Sequence, residues 1–142
     1  MRILILILCL VALAGCEQRT VDASVLQERR GLAYVPNETE PYTGNVTEYY
    51  PSGQLDTEIS YVDGKQNGLN RAWYDNGQLK AEFTAIDGKQ SGLARGWYEN
   101  GQLKGEATVI NGKQNGLART WYENGQLEGE TNYIDGEIVP KP

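Results

Sequence analysis

The sequence predicts an all-β protein, an elongated antiparallel meander of stacked β-hairpins. Three observations carry this. From Gly44 onward the chain repeats itself every 24 residues, four times and without insertion. Each repeat holds two Gly-containing turn signals. The runs between those signals are rich in Trp, Tyr, Leu, Thr and Ile, side chains that suit a pleated surface. Composition agrees: 17 Gly stand against 5 Pro, and 9 Tyr with 3 Trp stand against one Phe. Aromatic rings with a polar tip suit thin sheets with much wetted surface.

The first sixteen residues read MRILILILCLVALAGC. Arg2 supplies a short positive region, and Ile3 to Ala14 is an uninterrupted apolar run. It is shorter than the roughly 20 residues that cross a bilayer and has the length of the apolar part of a secretory signal peptide. Its end, Leu13-Ala14-Gly15-Cys16, resembles the bacterial lipobox. The resemblance implies that residues 1–15 are removed and that Cys16 takes a diacylglyceryl group and acyl chains of the palmitate kind. Two acyl chains, at about 0.8 kcal/mol per buried methylene, hold a protein on a membrane where one does not. It also implies a bacterial cell envelope location, and Glu17 in place of Asp points to the outer membrane, periplasmic side, in a Gram-negative host. Cys9 falls in the signal, so the chain from Cys16 onward has no other thiol and no disulfide.

Residues 16–43 read as the lipidated cysteine, a tether and a lead-in strand. Glu17 to Glu28 is polar, with Val21, Val25 and Leu26 as its only large apolar residues. A coil or frayed helix is expected there, a spacer reaching at most roughly 40 Å. Gly31 to Val35 reads as a short strand ended by Pro36-Asn37, a possible first strand of the meander.

The repeats occupy residues 44–67, 68–91, 92–115 and 116–139, and residues 140–142 form a tail. Asn76-Gly77, Asn100-Gly101 and Asn124-Gly125 form one set of turns, with Ser52-Gly53 in the first repeat. Asp63-Gly64, Asp87-Gly88, Asn111-Gly112 and Asp135-Gly136 form the other. Both sets favour two-residue hairpin turns, because both residues tolerate positive φ. That register sets Tyr74 opposite Leu79, Trp73 opposite Lys80, Ala72 opposite Ala81 and Arg71 opposite Glu82. The expected packed face then carries Tyr74, Leu79, Ala72 and Ala81, while Trp73, Lys80, Arg71 and Glu82 share the other. Arg95 with Glu106 and Arg119 with Glu130 repeat the charge pair, each worth about 0.2–1 kcal/mol. Gly96 and Gly105, facing one another, leave room for a neighbouring Tyr ring.

The recurring Trp-Tyr-Glu-Asn-Gly-Gln-Leu and Asp-Gly-Lys-Gln-Asn-Gly, with the lead-in Pro41-Tyr42-Thr43-Gly44, resemble the bacterial variant of the MORN repeat from Pro41 to about Glu137. The resemblance implies a twisted sheet of stacked hairpins and no activity. Bacterial proteins of this kind are commonly lipoproteins or antitoxin-like, and eukaryotic MORN proteins are linked to membranes and scaffolds.

The chain has no His, which removes the commonest general base and metal ligand. Its net charge of −6 argues against nucleic acid. The repeated Glu58, Glu82, Glu106 and Glu130 stand in identical surroundings, whereas a catalytic pair needs different ones. The Asp-Gly loops lack the alternating ligands of a calcium loop. No enzyme, cofactor or metal is therefore expected. The expected function is a membrane-anchored module that binds a protein or an envelope polymer, with an antitoxin-like or immunity role as the alternative. Interface energy concentrates in aromatic and Arg side chains, so Trp73, Trp97 and Trp121, flanked by Arg71, Arg95 and Arg119, form the candidate binding face. Packing between hairpins is the competing role for the Trp row.

Overall fold

The computed structural model describes residues 18–140; Cys16, with the signal and the acylation expected there, lies outside the described residues. Eight long strands follow the repeat: β4 (Gly44–Tyr49), β5 (Leu55–Val62), β7 (Gly68–Trp73), β8 (Leu79–Ile86), β10 (Gly92–Trp97), β11 (Leu103–Ile110), β13 (Gly116–Trp121) and β14 (Leu127–Ile134). They lie side by side in chain order, each antiparallel to the next. Short strands β6 (Lys65–Gln66), β9 (Lys89–Gln90), β12 (Lys113–Gln114) and β15 (Glu137–Val139) follow the Asp-Gly or Asn-Gly turns.

Those turns are two-residue ones, as expected: Asp63 and Gly64 have φ of 48° and 77°, and Val62 stands opposite Lys65. The hairpin tips differ. Tyr74 C=O accepts from Gly77 N–H at 2.9 Å, while Tyr74 N–H donates to Gln78 C=O at 2.8 Å. Only Gly77, at φ 83°, is left-handed; Asn76 is not. The tip is therefore a three-residue loop, a type I turn closed by a glycine. Asn76 stays out of the left-handed region because its Oδ1 accepts Gln78 N–H at 2.9 Å, a bond that fixes the tighter local turn. The two-residue tip expected at Asn76-Gly77, Asn100-Gly101 and Asn124-Gly125 is corrected.

The extra residue shifts the register by one. A bulge between Ala72 and Trp73 sets Trp73 opposite Leu79 instead of Lys80, and the third and fourth repeats do the same at Trp97 and Trp121. Ala72 opposite Ala81 and Arg71 opposite Glu82 stand as expected. Leu79 thus joins Trp73, Arg71 and Glu82, and the packed face expected from Tyr74, Leu79, Ala72 and Ala81 is split. The Lys80 ammonium, freed from Trp73, lies 5.6 Å from the Tyr74 ring centre. Gly96 and Gly105 do face one another, but an added Cβ on Gly96 would meet only Lys80 O, at 3.7 Å. No Tyr ring fills that space.

The segment before the repeats is part of the fold, which corrects the spacer reading. Thr20–Asp22 forms β1, paired parallel with β4. A 3₁₀ turn at Ala23–Val25 is capped by Asp22, which accepts Ser24 N–H at 2.9 Å. Gln27–Arg29 (β2) and Leu32–Tyr34 (β3) form a separate hairpin, so the strand expected near Gly31–Val35 is outside the meander. Polar composition hid this because the segment is held by backbone bonds. Ala33 N–H donates to Gly64 C=O at 2.9 Å, Gly64 N–H to Tyr42 C=O at 2.8 Å, and Tyr42 N–H to Ala33 C=O at 2.8 Å. Tyr42 is 1% exposed, and its hydroxyl lies 2.7 Å from Asn45 C=O and 3.0 Å from Arg19 C=O. Burial holds this phenol above its ordinary pKa. Arg19 and Glu38 close the cap with a bidentate pair at 2.9 and 2.6 Å.

The core is thin: Ala33, Tyr42, Val46, Ala85 and Val109 are its buried apolar residues among those described. Cohesion comes from contacts repeated between neighbours. Tyr50, Tyr74 and Tyr98 hydroxyls donate to the carbonyls of Trp73, Trp97 and Trp121 at 2.8, 2.8 and 2.9 Å. At the opposite edge Gly88, Gly112 and Gly136 N–H donate to Gln66, Gln90 and Gln114 C=O. Stability in such arrays is a sum over units and their interfaces. Removing residues 92–115 joins Ser91 to Gly116 and brings Arg119 to the place of Arg95 beside Glu82. The expected product is a folded, shorter sheet with an unchanged β signal per residue in circular dichroism; an unfolded product would show that the units are not additive.

Candidate functional site

Repetition turns each strand position into a row across the sheet. The Arg and Glu positions form one continuous row of alternating charge. Glu82 lies 3.9 Å from Arg71 and 3.8 Å from Arg95, and Glu106 lies 3.5 Å from Arg95 and 3.2 Å from Arg119. Glu130 follows at 3.0 Å from Arg119. The expected pairs within hairpins form, and the same carboxylates also bridge hairpins. Glu58 stands in register with Arg71 and accepts Asn45 Nδ2 at 3.4 Å. Hydrogen bonds from Arg119 to Glu130 and to Glu106 hold its guanidinium above the ordinary arginine pKa. The Arg side chains are about two-fifths exposed, so each pair is worth at most about 1 kcal/mol.

Trp73, Trp97 and Trp121 lie on this same face, half-buried, each opposite a Leu: Leu79, Leu103 and Leu127. The structure therefore brings all six expected binding residues onto one face, the Trp row beside the charged row. Beyond the charged row the face carries residues the sequence reading did not single out. Leu69 opposite Thr84 and Leu93 opposite Thr108 start it, and Ile86, Ile110 and Ile134 continue it at the strand ends. All five are more than a third exposed. Their recurrence every 24 residues and their alternation with Arg and Trp, or with Glu, along each strand were visible in the sequence.

The opposite face is lined by small residues at its middle, with Phe83 and Tyr133 among the larger side chains that border them. Ala72 with Ala81, Ala94 with Ala107 and Gly96 with Gly105 pair there, and a groove of about 460 Å³ runs over the second to fourth repeats. Over the first repeat the same face is covered by the chain's own N-terminal segment, leaving a cavity of about 530 Å³ lined in part by Leu26, Ala33, Val46 and Ile59.

A single sheet of tandem hairpins, locked by inter-hairpin Tyr–carbonyl bonds and an Arg/Glu row, defines the class: a β-hairpin repeat protein. The chain belongs to the MORN repeat variant family, whose pattern matches residues 42–63, 66–87, 90–111 and 114–135, more than half of its length. No curated protein and no solved structure matches it significantly.

Proposed function

We propose that this chain is a non-enzymatic binding module, tethered to a bacterial envelope membrane through acylated Cys16, whose Trp–Arg face engages a protein or an envelope polymer. What supports the reading is the set of uncovered apolar side chains on that face. Leu93 is 43% exposed, Ile86 55%, Ile110 53% and Ile134 57%. Contiguous exposed apolar surface marks interaction sites. The Arg charges between the rows are already matched by Glu, so the face asks for apolar and aromatic complementarity more than for a charged ligand. Toxin neutralisation would be one instance of such binding.

The test uses full-length chain captured from membranes with its bound material. Leu93→Ser with Ile110→Ser removes two exposed side chains and should cut recovery of the co-purifying partner at least tenfold with an unchanged melting curve. Equal recovery would reject this face. In the same cells, clickable palmitate should label the wild type and leave Cys16→Ser unlabelled; equal label would reject the anchor.

A further inference from the structure

We propose that the small-residue groove on the other face, over the second to fourth repeats, binds an extended polypeptide segment with a bulky apolar side chain at every third position. Two observations carry this. The first is continuity with a contact the molecule already makes. On the first repeat this face is occupied by the chain's own segment, with Leu26 and Ala33 lining a cavity against Val46 and Ile59. Two repeats further along, the positions of Val46 and Ile59 are held by Ala94 and Ala107. Between them, in the second repeat, stand Asn70 and Phe83, so the floor drops by several methylenes past Phe83, and an occupant of the third repeat must bring the bulk. On the first repeat this face already carries polypeptide.

The second observation is pitch. Each repeat contributes two long strands, so equivalent floor positions recur at about twice the strand spacing, or about 9.6 Å. A polyproline II segment rises about 9.3 Å in three residues. Its every third side chain then falls over the same small-residue pair in successive repeats, for example Gly96–Gly105. A β-strand repeats its facing side chain after about 6.8 Å and drifts out of step.

The probe is a fluorescein-labelled peptide of four Leu-Pro-Pro triplets, compared with a Leu-Ser alternating peptide of equal length, in anisotropy titrations against the full chain. Leu-Pro-Pro should bind at least tenfold more tightly. Gly96→Val and Ala107→Val should each fill the floor and weaken it at least tenfold. Both should keep the sheet: Gly96 lacks a left-handed φ, and an added Cβ there meets nothing closer than 3.7 Å. If circular dichroism shows Gly96→Val unfolded, Ala107→Val decides. Leu93→Ser, on the opposite face, should leave the peptide affinity unchanged, which separates this site from the proposed Trp–Arg face. No binding to the wild type, equal binding to the filled variants, or equal binding of the alternating peptide would overturn the proposal.

Discussion

Gly44→Ala should be the most damaging small substitution in the chain. Gly44 is buried at φ 147°, and a Cβ there would stand 2.3 Å from Arg19 O and 2.6 Å from the Tyr42 hydroxyl oxygen. Backbone cannot yield as a flexible side chain would, and Arg19 C=O already accepts Asn45 N–H at 2.8 Å. Strain and clash together should cost about 3–5 kcal/mol, lowering the melting temperature by more than about 10 °C. Gly31→Ala is the matched control. Gly31 is also left-handed, at φ 77°, but a Cβ would meet nothing within 4 Å. It should cost only about 1–2 kcal/mol. Equal melting curves for the two variants would show that close packing of β1 against β4 contributes nothing to stability.

Trp97→Ala should be the second largest. Complete burial of a Trp is worth about 3–5 kcal/mol; Trp97 is half-buried, so about 2–3 kcal/mol is expected. The bond from the Tyr74 hydroxyl goes to the Trp97 carbonyl and survives the substitution. The sheet should therefore stay intact and melt at a lower temperature. Measured together with partner recovery per folded molecule, this variant separates the two roles of the row. Lower stability with full recovery assigns the Trp row to packing; lower recovery beyond the loss of folded protein assigns it to binding.

The period, the stacked hairpins, the Asp-Gly turns and the Arg–Glu pairs were all legible from residue order, because each rests on residues close in the chain or recurring at one fixed spacing. The hairpin tips were misread for one physical reason. Asn-Gly serves both a two-residue turn and a three-residue loop, and the choice rests on whether the Asn side chain bonds the backbone two residues on, as Asn76 does with Gln78. That single choice moved Leu79 across the sheet. At the candidate site the Trp and Arg positions were named from residue type, and the Leu and Ile rows were overlooked, although strand alternation sets them on the same face.

By itself the sequence determined the repeat, its stacked hairpins and the chemistry of each row, since a 24-residue period copies every local preference four times. It also determined membership of the MORN repeat variant family. The tertiary structure decided the rest. It placed Thr20–Asp22 in the sheet, joined the ion pairs of separate hairpins into one row, and left a groove where Ala94, Gly96, Gly105 and Ala107 replace larger side chains. These are contacts between segments related only by stacking. They join residues of different hairpins or of the N-terminal segment, and several rest on backbone carbonyls, which carry no pattern along the chain.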